Sequence, residues 1–327
     1  MSYVLGIDGG GTKTTCFLLN DTGQLLGQGM AGPSNYQTVG AEIACNSIIS
    51  AMQQATQPIV TQSISTIEIK ALCLGLAGVG RWQDVQLAHC WIQQLVINSA
   101  LPLLWSLQPS TTVICNDFEI ALMGGLGHSV GVVVIAGTGS AIFGRNQQGM
   151  TRRVGGWGYL LGDEGSAYDI AIASLRAVLK SEDGRLGPTS LKNRLLQHLG
   201  LSNLADLVEV VYRRGWGAKE IAALAPLVDE AAAEGDKIAT DIIQAAIREL
   251  ALATQVVVKD LFSEAARCEV VLTGKVWQGR AKMQQQFEAA LVGFTPTIQI
   301  VQPRHAPAYG AGLLALQALH RGVQPSG

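Results

Sequence analysis

The sequence predicts an α/β protein of two related domains facing one ligand cleft, on three observations. Short apolar runs rich in Val, Ile and Leu alternate with stretches of helical periodicity, the pattern of a mixed sheet covered by helices. A unit of strand, glycine turn, strand, turn and strand opens the chain and recurs about 130 residues later. The length of 327 residues exceeds the roughly 250–300 at which one core stops growing.

The elements follow in order. YVLGID is an apolar strand that runs into a glycine turn; TTCFLLN, the turn NDTG at 20–23 and a third short strand complete an antiparallel meander. Residues 39–56 place Ile43, Ile48, Ile49 and Met52 on one helical face. IKALCLGLAG reads as a buried strand, RWQDVQLAHCWIQQLV as a helix, and TTVICND as a strand ending in two polar residues. SVGVVVIAGTGSAIFGRNQQGMTRRVGG then repeats the opening unit, with NQQG at 146–149 as its second turn. From 163 to 266 the chain is mainly helical, with Ala-rich segments that lack interior proline except Pro226. CEVVLTGKVW is a last strand and turn, followed by a helix, a strand around TIQIV and the closing helix PAYGAGLLALQAL.

Composition excludes several function classes. With 48% hydrophobic and 15% charged residues the chain is a packed protein, not a disordered one. Lys and Arg number 23 against 25 Asp and Glu, a net charge of −2 without a long basic run, so no nucleic-acid partner is expected. The six cysteines (Cys16, Cys45, Cys73, Cys90, Cys115 and Cys268) form no CxxC and no Cys/His cluster, which argues against zinc or an iron–sulfur centre. They read as buried free thiols of a reducing compartment. MSYVLGID shows no secretory signal, and no uncharged apolar run reaches the roughly 18–20 residues of a membrane helix, so a cytoplasmic protein without a membrane partner is expected. The apolar helical segments could supply a homodimer face.

Four stretches carry chemistry. DGGGTK places Asp8 at a strand end and follows it with Gly9, Gly10, Gly11, Thr12 and Lys13: glycines that admit φ > 0 and expose N–H groups, a hydroxyl, and a countercharge. Asp8 could hold Mg²⁺ directly or through water. Alone, this turn reads equally well as an ordinary hairpin, and it matches neither the P-loop nor a dinucleotide GxGxxG, because TTCFLLN continues as a strand. AGTGS repeats the logic with Gly137, Thr138, Gly139 and Ser140, and two matching hairpins point to a nucleotide's phosphates. Asn116 and Asp117 close an apolar strand; Asp117 can accept a hydroxyl proton as that oxygen attacks a γ-phosphoryl group, or can cap the next helix. GGWGYLLGDEGSAYDIA at 155–171 gathers glycines, an indole and carboxylates, groups that suit sugar hydroxyls and C–H faces, although Asp163 or Ser166 may equally cap a helix and Trp157 be core.

Together these residues resemble the N-acetylglucosamine kinase family, grouped with the BadF/BadG-type ATPases in the actin-like superfamily. The resemblance rests on GIDGGGTKT at 6–14, GPSN at 32–35, CNDFEIAL at 115–122, IAGTGS at 135–140, GGWGYLLGDEGSAYDI at 155–170, VVLTGKVW at 270–277 and GAGLLAL at 310–316. It implies two RNase H-like (actin-like ATPase) domains with a central interdomain cleft that closes on ATP, Mg²⁺ and an amino sugar. Residues 1–117, completed by a C-terminal helix at about 306–327, would form one domain, and 118–305 the other with helical insertions. By the same resemblance Thr12 and Thr138 contact phosphates, beside Gly10, Gly11, Lys13, Gly137, Gly139 and Gly274. Asp8 holds Mg²⁺, and Asp117 is the base at the sugar 6-hydroxyl. Asn35, Asn116, Gly156, Trp157 and Asp163 occupy sugar positions. Lys275 stands where a small residue is common, which loosens the expectation for adenosine there. Relatives with clustered cysteines, the iron–sulfur activators and the zinc-binding repressors and kinases, do not match. The implied activity is phosphorylation of N-acetylglucosamine to N-acetylglucosamine 6-phosphate, with a glucosamine kinase as the alternative and a noncatalytic ATP and sugar sensor as the third reading.

Overall fold

A computed structural model describes residues 2–62, 67–98, 103–213, 215–263, 266–292 and 298–322. The chain divides into two compact units, Met1–Ser129 with Pro303–Gly327, and Val130–Gln302. The division falls after Ser129 and not at 117, because the helix Asp117–Leu126 packs against the closing helix Pro307–Gly322 and stays with the first unit.

The first sheet contains β1 (Tyr3–Gly9), β2 (Thr14–Asn20), β3 (Leu25–Ala31), β4 (Ile67–Leu76), β5 (Leu103–Trp105) and β6 (Thr112–Asn116). β3, β2 and β1 form the expected antiparallel meander; β4 pairs parallel with β1, and both β5 and β6 pair parallel with β4. Successive residues of a strand point to opposite faces, and here both faces are covered. Leu5, Ile7 and Leu18 pack with Ile48, Met52 and Trp91 from the helices Ala41–Gln62 and Trp82–Asn98. Val4, Leu19 and Cys73 pack with Ile120 and Ala311 on the other side. That double burial explains why YVLGI is continuously apolar. A Cβ on Gly6 would lie 2.2 Å from Gly312 N, and one on Gly310 2.1 Å from Ile120 O, so the GAG of the closing helix serves close packing.

The helix expected over 39–56 runs on to Gln62 through Pro58, because Ile59 and Val60 continue its apolar face onto the core.

The second sheet contains β7 (Gly131–Ala136), β8 (Ser140–Arg145), β9 (Thr151–Gly155), β10 (Cys268–Thr273) and β11 (Ile298–Val301), in the order β11-β10-β7-β8-β9. A meander followed by parallel strands repeats the first unit's order. The echo extends to the turns: Asn20 Oδ1 accepts from the N–H groups of Thr22 and Gln24, and Asn146 Oδ1 from those of Gln148 and Met150. Gly23 and Gly149 close these turns at φ 84° and 81°. Helices Ala167–Glu182 and Lys237–Leu261 supply much of the core, where Leu175, Ile247 and Phe287 are buried. Pro226 sits in the first turn of the helix Ala225–Ala233, where its missing N–H costs no helical bond. All six cysteines are free; Cys90 is exposed, against the expectation of buried thiols. Among the described residues no helix is long and apolar enough to cross a membrane, and no group of three or more His, Cys, Asp or Glu could hold a metal ion.

Candidate active site

In the first unit the site lies at the carboxyl ends of the parallel strands. Asp8 on β1 pairs with Gly75 on β4, and Gly75 pairs in turn with Cys115 on β6, two residues before Asp117. The three glycines after Asp8 do different work. A Cβ on Gly9 would strike Leu76 Cδ2 and Ser34 Oγ, each at 2.4 Å, so Gly9 is a packing glycine. Gly10 starts the turn, its N–H donating to Lys13 O at 3.0 Å and its carbonyl accepting from Ser34 and Asn35 N–H at 3.0 and 3.2 Å. Around Gly11 no atom lies within 4 Å of a would-be Cβ, and neither Gly11 nor Thr12 gives its backbone N–H to another described residue. This open cradle fits a phosphate. The segment 32–35 is fastened beneath it by Thr14 Oγ1, which donates to Gly32 O at 2.7 Å and to Ser34 Oγ at 2.8 Å.

The two carboxylates of this unit are electrostatically frustrated. Burial, then the charge of Asp117, pushes Asp8 up to about 7, with Lys13 pulling the other way. Burial likewise raises Asp117 to about 6, against the backbone N–H groups of Phe118 and Asp117 itself. Two desolvated carboxyls form a donor set that a divalent cation would satisfy. Asn116 is occupied at both ends of its amide: Nδ2 donates to Val79 O at 2.5 Å, and Oδ1 caps the helix Asp117–Leu126 by accepting from Phe118 N–H at 3.4 Å. It positions Asp117. Asn35 Oδ1 accepts from Gln37 N–H at 3.2 Å, while its Nδ2 donates to no described residue and is available to a ligand oxygen.

In the second unit the turn 137–139 closes through Gly137 N–H to Gly139 O at 2.9 Å. No atom lies within 4 Å of a Cβ on Gly137, so this turn too is open. Asp163 lies behind it, 9% exposed and held at φ 62°, an uncommon angle for a non-glycine residue. A Cβ on Gly139 would come within 2.5 Å of its Oδ2. Burial raises the Asp163 carboxyl, and hydrogen bonds from the backbone of Ser140 and Gly158 oppose the rise. Asp163 therefore ties the loop 156–163 to the 137–139 turn. Gly156, at φ 69°, starts that loop; Trp157 is 67% exposed, with the Arg153 guanidinium 4.8 Å over its ring. Gly274, at φ 109°, brings the end of β10 against the same turn, where a Cβ would lie 2.1 Å from Ala136 O.

The model of the BadF/BadG/BcrA/BcrD ATPase family matches residues 5–315. The chain belongs to this family. It is 33% identical over 320 residues to the N-acetylmuramic acid/N-acetylglucosamine kinase of Clostridium acetobutylicum, covering 96% of this chain and 98% of the relative. It is also 33% identical over 324 residues to the N-acetyl-D-glucosamine kinase of Dictyostelium discoideum, with the same coverage. Among solved structures, a protein of Chromobacterium violaceum provisionally described as an N-acetylglucosamine kinase aligns with a TM-score of 0.73 at 24% identity, over 96% of this chain and 98% of that one. A glucokinase of the ROK family from Streptomyces griseus, solved with glucose and AMPPNP, aligns at 0.55 and 16% identity over 95% and 98%. These structural likenesses show the fold the chain shares with them.

Within this BadF/BadG-type ATPase, one part of the first unit escaped sequence reasoning. Asp84, 2% exposed at the start of the helix Trp82–Asn98, gathers donors around its carboxylate: Gly80 N–H at 3.0 Å, Arg81 N–H at 2.8 Å, Arg81 Nη2 at 3.0 Å and the Tyr36 hydroxyl at 2.5 Å. Burial alone would raise this carboxyl; the bonds from Arg81, Tyr36 and Gly80 hold it well below the usual carboxylate range. The only local signal was an acid three residues after Arg81, the spacing of a capping interaction.

Proposed function

We propose that the protein is an ATP-dependent amino-sugar kinase that transfers the γ-phosphoryl group of ATP to the 6-hydroxyl of N-acetylglucosamine. The observation that carries this reading is Asp117: a half-buried, desolvated carboxyl raised to about 6, at the end of β6 and electrostatically coupled to Asp8 beside an open glycine turn. A carboxylate there has the basicity to take a hydroxyl proton near neutral pH. Membership of an ATPase family and the names of the two relatives at 33% identity support the same chemistry.

The roles follow from the geometry of each unit. Gly11, Thr12 and Thr138 offer donors to phosphate oxygens, and Gly9, Gly139 and Gly274 allow the close packing that keeps those turns in place. Asp8 would hold Mg²⁺, which, when bound with ATP, neutralises charge on the transferring phosphoryl group. Asn35 Nδ2 and the Trp157 loop bind and orient the sugar, and Asp117 accepts the proton of the attacking hydroxyl. In the second unit a cavity of about 230 Å³, lined by Thr240, Ile243, Gln244, Arg280 and Gln286, follows the Gly274 segment and offers room for the nucleoside.

A coupled assay of ADP release over N-acetylglucosamine, N-acetylmuramic acid, glucosamine, N-acetylmannosamine and glucose tests the reading. Fastest turnover with N-acetylglucosamine is expected, and the 6-deoxy sugar should bind without turnover. Tight binding of ATP and sugar with no ADP release would instead favour a sensor.

A further inference from the structure

A loop at residues 76–81 touches both sugar-side elements of the first unit, and one buried carboxylate anchors it. Gln37 Nε2 donates to Gly78 O at 2.7 Å, and Asn116 Nδ2 donates to Val79 O at 2.5 Å. A Cβ on Gly78 would lie 2.7 Å from Asn35 Oδ1, so the loop also abuts the Asn35 amide directly. Asp84 accepts from Gly80 and Arg81 N–H, as any acid in the first turn of a helix could. Its bond from the Tyr36 hydroxyl is different in kind: it spans 48 residues and contributes nothing to the helix start. Tyr36 follows Asn35 directly and stands edge-on to Trp91, ring centroids 6.0 Å apart, so the ring is packed and the hydroxyl aimed.

We propose that Tyr36 and Asp84 are a positioning pair for sugar phosphorylation: their bond locks the 76–81 loop against the 35–37 segment and thereby fixes Asn35 and the Asn116–Asp117 corner in one arrangement. The inference rests on the amino-sugar kinase reading of this site. A device that sets the relative place of a sugar-binding amide and a catalytic base acts on sugar affinity and on the attack geometry, where small misplacements cost large factors. Its links to the glycine turn are Ala77 N–H to Gly9 O at 2.8 Å and Ser34 and Asn35 N–H to Gly10 O, short of the open Gly11–Thr12 cradle.

Tyr36→Phe is the clean test, because it keeps the ring packing and both backbone bonds at Asp84 and removes only the hydroxyl's bonds across to Asp84 and Arg81. In the full chain the variant should raise the KM for the sugar roughly tenfold and lower kcat severalfold, with the KM for ATP within about twofold of wild type and Tm nearly unchanged. Asp84→Asn also removes the charge that holds Arg81, so it should affect the sugar KM at least as strongly, and the two substitutions should be less than additive because they share the Tyr36–Asp84 contact. Direct sugar titration by calorimetry, with and without an ATP analogue, reads the same loss without turnover. An unchanged sugar KM, kcat and sugar affinity in Tyr36→Phe, or a fall in Tm with no change in sugar KM, would overturn the pair. A wild-type protein that neither binds nor phosphorylates any sugar of the panel would refute the kinase reading and the pair together, an outcome distinct from an active wild type with an indifferent variant.

Discussion

In the proposed kinase, Asp117 is the residue on which the chemistry turns. As a proton acceptor it should contribute about 10²–10⁴-fold, so Asp117→Asn is expected to lower kcat by that factor while ATP affinity, measured by titration, stays close to wild type. Its raised value also sets the sign of the pH dependence: the ionised form is the base, so kcat/KM for the sugar should fall as pH drops below about 6, whereas an ordinary aspartate would titrate near 4. The acid limb should vanish in Asp117→Asn. Stability has the opposite trend. Asp8 and Asp117 both bind their protons more tightly folded than unfolded, so the unfolded chain releases protons first and stability falls as pH rises from about 4 to about 7. Asp8→Asn removes the more strongly raised carboxyl, and its Tm at pH 8 should exceed that of wild type in a calorimetric scan.

At the scale of elements, the glycine turns separate packing from binding. Gly9→Ala places a methyl group against Leu76 and Ser34 and should lower Tm by several degrees, an overpacking cost of about 1–3 kcal/mol. Gly11→Ala meets nothing in the protein, so Tm should hold while the KM for ATP rises. Sequence alone displayed the turns, because a strand, three glycines and a second strand are contiguous and the same grammar returns at 131–145. It could not rank Gly9, Gly10 and Gly11, whose difference lies in what β4 and the 32–35 segment bring near them. Asn116 was legible as a polar residue at a strand end; its commitment to Val79 and to the helix cap depends on contacts across the sheet. The Tyr36–Asp84 bond was illegible for the same reason, since its partners are 48 residues apart.

For the whole molecule, repetition is the organising fact. Both units place a meander beside parallel strands, close their second turn with an asparagine and a glycine at positive φ, and present an open glycine turn at the end of their first strand. The units also differ: the first carries both desolvated carboxyls, the second the Trp157 loop and the cavity lined by Thr240, Gln244 and Arg280. The repeat was visible in the sequence as two matching hairpins. Assigning Asp117–Leu126 to the first unit required the packing of that helix on Gly310 and its neighbours. The central claim is that this arrangement phosphorylates an amino sugar at its 6-hydroxyl. Its most direct test is the proton-coupled ³¹P spectrum of the product formed from ATP and N-acetylglucosamine. A phosphorus resonance split by the two protons of C6 is the predicted result; no phosphosugar, or a phosphate coupled to the single proton at C1, would contradict it.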